Sequence, residues 1–267
     1  MAIAYDAGST GFTGAGTSFT FSHTCTGSGL RLMVGVTANK TTDIVTGVTY
    51  NGVALTRVAA VQAATTNFWC YVYTLYAPAT GAHDVGVNFT GTEAVFATAD
   101  SYTGFTGGLI DSSATGTDGA GDFAATTTVA GTGCWLYAFA RSNDGDGIAA
   151  GASTTLRGSL GSGTVVSADS AATVGTGAQS LNFASSPGGE TGWVAVSLAV
   201  STLFAADAGA FTLTGVAANL ARTAYQIAAD AGSFVLTGIA ARLRLIGWVN
   251  RSRPTSTWTD VNRSDQA

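Results

Sequence analysis

Few residues in this 267-residue chain are of a type that does chemistry. His23 and His83 are its two histidines. A histidine base needs a carboxylate that orients it and a reacting group in reach. Asp84 follows His83 directly, but neighbouring strand residues point to opposite faces, so these two are not poised as base and orienter. His83 is expected in a turn. Glu93 and Glu190 are the two glutamates. A glycosidase needs two carboxylates facing each other across a bond; an Asp–Glu pair stays open, and the spacing singles none out. Asn143-Asp144-Gly145-Asp146-Gly147, with Asp118 and Asp122, could set oxygens around Ca²⁺. It lacks the spacing and closing Glu of an EF-hand loop, and an Asx-Gly turn is the plainer reading. Gly145–Ala150 echoes a dinucleotide loop without the strand–turn–helix frame that places a phosphate. No Gly-x-Ser-x-Gly elbow occurs. Cys25, Cys70 and Cys134 form no CxxC pair and sit in apolar or Thr-rich contexts. They read as buried reduced thiols, with one disulfide plus a free thiol as the alternative. No catalytic residue, cofactor or metal site is therefore assigned, and the chain is expected not to be an enzyme.

The element best defined by its residues is Asn67–Tyr76, rich in aromatic and β-branched side chains, without Gly, Pro or charge. Phe68, Cys70, Val72 and Tyr76 fall on one face, and Trp69, Tyr71, Tyr73 and Leu75 on the other. With both faces apolar, this predicts a central strand covered on both sides. Cys134–Ala140 has the same character. Met1–Gly16 reads as an extended lead-in. Further strands are expected at Thr17–His23, Leu30–Ala38, Asp84–Thr90, Glu93–Tyr102, Asp122–Val129, Gly133–Ser142, Thr154–Leu160, Thr164–Asp169, Gln179–Ala184 and Gly192–Val200, and Val48–Val61 reads as β-formers on either side of a turn. Asn51-Gly52 marks a tight hairpin, because both residues tolerate positive φ. Some eleven short strands between Gly-rich turns, with no helical period, predict an all-β fold: an antiparallel β-sandwich or jelly roll over residues 1–202.

Composition agrees, with 36 Gly, 3 Pro, 10% charged and 10% aromatic residues. No apolar run is long enough for a spanning helix, so no membrane role is expected. Nor is a secretory signal visible at the N-terminus, which predicts either use without Sec export or a matured chain. Asn39, Asn88, Asn250 and Asn262 match the glycosylation pattern, as chance allows in a Thr-rich chain. Residues 1–202 carry five Lys/Arg against twelve Asp/Glu, and residues 203–267 carry six Arg against four Asp. Such asymmetry suits docking of the tail on an acidic partner, and equally a body kept soluble by negative charge. Nucleic-acid binding is not expected, because the body has no basic patch interleaved with aromatics.

Composition shifts near residue 202, and an internal repeat follows. Ala205-Ala-Asp-Ala-Gly-Ala-Phe-Thr-Leu-Thr-Gly215 returns as Ala228-Ala-Asp-Ala-Gly-Ser-Phe-Val-Leu-Thr-Gly238. Each copy predicts a turn and a short strand with an apolar face, Phe211 and Leu213 in one and Phe234 and Leu236 in the other. Two such units cannot hide those faces alone, so they need the sandwich, another protomer or a different protein. Val249-Asn-Arg-Ser252 and Val261-Asn-Arg-Ser264 repeat beside Trp248 and Trp258. Trp and Arg commonly anchor interfaces. The expected assembly surface is therefore Phe211, Leu213, Phe234, Leu236, Trp248, Arg251, Trp258 and Arg263.

Gly29–Thr37, Val48–Thr56, Tyr73–Val87 and Ala99–Phe105 together resemble a β-sandwich type common among tailed-phage virion proteins and some bacterial surface proteins. The Asp-Ala-Gly-Ser-Phe-x-Leu-Thr-Gly repeat and the Ser256–Val261 ending resemble segments of phage structural proteins. The resemblance implies no active site. It implies a virion component assembled in the host cytoplasm, displayed on the capsid as a decoration or head fibre. Its partners would be other virion proteins and copies of itself, as a trimer. A tail component is the alternative within the class. A carbohydrate-binding or adhesive module, meeting a host-surface glycan, is the alternative outside it. A secreted hydrolase has little behind it.

Overall fold

The computed structural model describes residues 2–200 except 64, 66, 109, 120, 144–146 and 186–188, and the backbone of 211–213 and 234–236. Two units divide the chain, one built on Met1–Phe204 and the other on residues from Ala205 onward.

The first unit is all-β and antiparallel among its described residues, apart from a 3-10 turn at Gly161–Gly163. Its first half comprises β1 (Ala4–Thr13), β2 (Ser18–Cys25), β3 (Arg31–Ala38), β4 (Val45–Tyr50), β5 (Val53–Ala54), β6 (Thr56–Ala63), β7 (Phe68–Tyr76), β8 (Gly81–Phe89) and β9 (Val95–Thr103). These form an inner sheet, β1-β9-β3-β7-β6, under an outer sheet, β2-β8-β4-β5. The second half comprises β10 (Ile110–Asp118), β11 (Phe123–Val129), β12 (Trp135–Ser142), β13 (Ala149–Ala150), β14 (Thr155–Leu160), β15 (Val165–Asp169), β16 (Gly177–Ala184) and β17 (Thr191–Leu198). Its inner sheet runs β10-β17-β12-β15-β14 and its outer sheet β11-β16-β13.

The two orders are the same winding carried out twice. The hydrogen-bond ladders agree residue by residue. Arg31–Ala38 meet Tyr102–Val95 as Trp135–Ser142 meet Leu198–Thr191. Bulges recur as well. The ladder slips at Asp6 in β1 and at Asp111 in β10, then at Val58 in β6 and at Arg157 in β14. Gly-Ser-Gly29 and Gly-Thr-Gly133 turn the chain into β3 and β12, each last glycine at positive φ, where a Cβ would be strained.

Four layers result, with three apolar cores between them. Leu32, Val34, Val36, Tyr71 and Tyr73 face the first outer sheet, and Leu136, Ala138 and Ala140 face the second. Between the inner sheets lie Met33, Phe68, Cys70, Val72, Tyr137, Phe139, Val194 and Val196. β7 and β12 read as doubly apolar because each is covered on both faces by a different core.

The inner sheets are related by a pseudo-two-fold axis along β3 and β12. β1 packs on β14 and β6 on β10, and likewise β9 on β15 and β7 on β17. Residues on such an axis meet their own counterparts. Gly35 faces Phe139, whose ring would lie 2.0 Å from a Cβ at Gly35. One position pair further on, the Arg141 guanidinium donates to the Thr37 hydroxyl at 3.3 Å.

The Asn51-Gly52 hairpin is present, both residues at positive φ, with Tyr50 opposite Val53. Val48–Val61 holds a second break beyond that turn, at Leu55, where the chain leaves the outer sheet as β5 and enters the inner one as β6. Met1–Gly16 is no lead-in, since β1 pairs with β9 from Ala4 to Thr13. Neither it nor β10 shows an apolar alternation, because both are Gly/Ser/Thr-rich edge strands held by backbone bonds. The described part of the first unit thus has seventeen strands where eleven were expected.

In the second unit, β18 (Phe211–Leu213) and β19 (Phe234–Leu236) pair in parallel. Phe211 stands opposite Phe234, Thr212 opposite Val235 and Leu213 opposite Leu236. The described residues of the two copies of the repeat therefore lie in register with each other.

Candidate functional site

The seam between the inner sheets has two flanks that the pseudo-two-fold exchanges. One is closed by charge. Arg157 is set inward by its bulge in β14 and grips Asp169 of β15 through two bonds, Nε to Oδ2 at 2.7 Å and Nη2 to Oδ1 at 3.0 Å. Its guanidinium carbon lies 4.1 Å from the centre of the Tyr5 ring of β1. Such a fork matches a carboxylate edge to edge and stacks on an aromatic face at once. Tyr102 packs edge-on to Tyr5 at 5.7 Å and to Tyr137 at 6.4 Å. Asp100 of β9 completes the cluster, with no exposure to solvent. Burial pushes its carboxyl up to about 7, Asp169 adds to the rise, and the hydroxyls of Ser167 and Tyr137 with Arg157 hold it back. Burial and Asp100 likewise push the Tyr5 phenol up to about 12.

Two acidic side chains, a cation and three phenols could in principle share a proton. Asp100 and Asp169 are both sealed from solvent, however, and no described cavity opens on them. The cluster can hold the sheets together and take up a proton; it cannot admit a substrate as it stands.

The other flank is open. The position of Arg157 is taken there by Val58, that of Asp169 by Thr74, that of Tyr5 by Ile110 and that of Asp100 by Val196. Shorter and uncharged side chains leave a cleft of about 440 Å³. Val58, Leu75 and Ile110 give it apolar walls, and Thr56, Thr74, Tyr76, Ser112 and Ser113 line it with hydroxyls. Tyr76 is 40% exposed, its ring against Gly108.

The residues singled out from sequence are not brought together. His83 lies in β8, not in a turn, because the pairing of β2 with β8 continues to Gly81. It stands directly opposite His23, with the Tyr50 ring against both. His23 accepts or donates to the Ser9 hydroxyl at 2.9 Å, and burial pushes it down to about 4. Asp118 accepts from the Trp193 indole at 2.7 Å and Asp122 from the Ser185 amide at 3.2 Å. Asp144 and Asp146 lie outside the described residues, so the proposed Ca²⁺ loop cannot be placed. Among the described residues, no group of three His, Cys, Asp or Glu is gathered that could hold a metal. Glu93 pairs with Lys40 at 2.6 Å, and Glu190 accepts from the Thr65 amide at 2.9 Å. All three cysteines are free and buried, and burial pushes the Cys70 thiol up to about 12. No described helix is long and apolar enough to cross a membrane.

Of the expected assembly residues, Phe211, Leu213, Phe234 and Leu236 are described in their backbone pairing alone. Trp248, Arg251, Trp258 and Arg263 lie outside the described residues. Sequence reasoning missed Arg157, Asp100 and Asp169. A bulged arginine and two strand aspartates carry no spacing signal, since what joins them is contact between sheets. Compared with protein-family models, curated proteins and solved structures, the chain matches none.

Proposed function

We propose that this chain is a non-enzymatic structural component of a phage particle, a capsid decoration or head fibre. In this reading it assembles through its C-terminal repeats. The observation that carries it is the in-register parallel pairing of β18 with β19. A motif that pairs with its own second copy can pair with the same motif in another chain, and a two-stranded sheet still has edges to offer. The first unit suits a rigid outward module, with three apolar cores and a largely buried ion pair, Arg157 with Asp169, at its seam. We read the first half as a jelly roll, since β1-β9-β3-β7 over β2-β8-β4-β5 interleaves two Greek keys, a winding found in viral capsid and lectin domains. The second half is the same winding with one outer strand fewer among its described residues. Within the same class, a tail component fits the same features.

Light scattering on the full chain and on residues 1–204 tests the assembly role. The full chain should be an oligomer and the truncated one a folded monomer. Assembly that survives the truncation would place the contact elsewhere. Mass spectrometry of purified particles tests the location, and absence of the chain from them would remove it.

A further inference from the structure

We infer that the open flank of the seam binds a neutral saccharide unit. The pseudo-two-fold supplies the first argument. Equivalent space on the closed flank is filled by Arg157, Asp169 and Tyr5, so the cleft is not a general consequence of how the sheets pack. It exists because Val58, Thr74 and Ile110 stand at those three positions. Its volume, about 440 Å³, falls within the range of small-molecule sites.

The lining chemistry selects the ligand. None of the described residues lining the cleft carries a charge, so neither a phosphate nor an ammonium group would find a counter-ion among them. Thr74 already gives its proton to the Leu32 carbonyl at 3.2 Å, and Ser112 gives its own to the Thr128 carbonyl at 2.5 Å. Toward a ligand, both hydroxyls can act as acceptors only. The complementary molecule is rich in O–H donors and has an apolar C–H face for Val58, Ile110 and the exposed Tyr76 ring. Sugars combine those two features, and the site is independent of any role of the C-terminal repeats.

The test is saturation-transfer NMR and calorimetry on the full chain with methyl hexopyranosides, maltose and lactose. Inorganic phosphate and methylammonium serve as controls. At least one neutral sugar should bind saturably at millimolar concentration, with neither control competing. Tyr76→Ala should weaken it about ten-fold, a size expected for loss of one ring contact. Val58→Arg with Thr74→Asp copies the closed flank and should abolish binding. Should that pair fail to fold, Tyr76→Ala alone decides. Silence across the panel would overturn the inference, as would binding unchanged in Tyr76→Ala or displaced by phosphate.

Discussion

Along the pseudo-two-fold axis, β3 presents Met33, Gly35 and Thr37, and β12 presents Tyr137, Phe139 and Arg141. A symmetric dimer must set like against like at its axis, two glycines leaving a hole or two phenylalanines clashing. Joined in one chain, the halves are free to differ, and here the smaller residue of each pair comes from the first and the larger from the second. The flanks diverge in the same way, one ion-paired and closed, the other neutral and open. Equal backbones thus hold unequal seams. Side chains decide which part of the interface is structural and which is left for a ligand.

The largest effect should come from the axis itself. Phe139→Ala removes the ring that fills the space over Gly35 and should cost about 3–5 kcal/mol, as for other buried phenylalanines. Gly35→Ala forces that ring to move and should cost about 1–3 kcal/mol. Exchanging them, Gly35→Phe with Phe139→Gly, should be less harmful than the single variants Gly35→Phe and Phe139→Gly added together, the wild type completing the set. Urea unfolding of the four proteins measures this. Strict additivity would mean that the two positions do not share one space.

On the closed flank, Arg157→Val leaves the sealed Asp169 carboxylate without its cation. Breaking a buried pair costs about 3–5 kcal/mol, and with the guanidinium partly solvated we expect about 2–4 kcal/mol. Adding Asp169→Thr copies the open flank and removes both charges, so most of that loss should return. A double variant no better than Arg157→Val alone would show that the ion pair is not what the flank depends on.

The halves should also differ in their response to pH. Asp100 titrates near 7 when folded and near 3.8 when unfolded. Between those values the folded state keeps a proton that the unfolded chain has released. Its stabilising contribution is therefore whole below pH 4 and is lost as pH rises toward 7. His23 works in the opposite sense. Its folded value is about 4 against 6.5 unfolded, so its contribution is present above pH 6.5 and lost as pH falls toward 4. Val196, the counterpart of Asp100, has no titration. Unfolding midpoints of the wild type and Asp100→Asn between pH 4 and 8 should differ in slope, the variant lacking the decline. An unchanged slope would assign the decline to another group.

What could be read from residues alone follows from the same division. Asn67–Tyr76 was legible because two cores demand apolar side chains on both its faces, and Asn51-Gly52 because a two-residue turn demands positive φ. The duplication was not legible. Counterparts at the axis pack on each other, so they must be complementary and not alike; Gly35 and Phe139 share a place and no chemistry. What does recur, Gly-Ser-Gly29 with Gly-Thr-Gly133 and Thr80-Gly-Ala with Thr176-Gly-Ala, is lost in a chain so rich in glycine and threonine. β1 and β10 left no pattern, since edge strands are held by ladder bonds that any side chain permits. The Asp100 cluster was hidden because its members come from five strands in both halves.

The smallest effect tests the duplication where it is most alike. Asp6 and Asp111 both sit at the first bulge, and both turn their carboxylates to the loop that follows the second strand of their half. Asp6 accepts from the Thr26 amide at 2.9 Å and the Ser101 hydroxyl at 2.6 Å. Asp111 accepts from the amides of Ala130 at 3.0 Å and Gly131 at 3.1 Å. Bonds from amides to an ionised acceptor are worth about 1.5–3 kcal/mol, but these lie near the surface, where water replaces them in part. Asp6→Ala and Asp111→Ala should therefore each cost about 1 kcal/mol, Asp6 slightly more for its bond to Ser101. The expectation that matters is the match. The same device placed at the same ladder position has the same job in each half, closing the loop that turns the chain from the outer sheet to the inner one. Hydrogen exchange should speed up locally, at Thr26 in one variant and at Ala130 and Gly131 in the other. A loss confined to one half would mean that the winding repeats while what holds it does not.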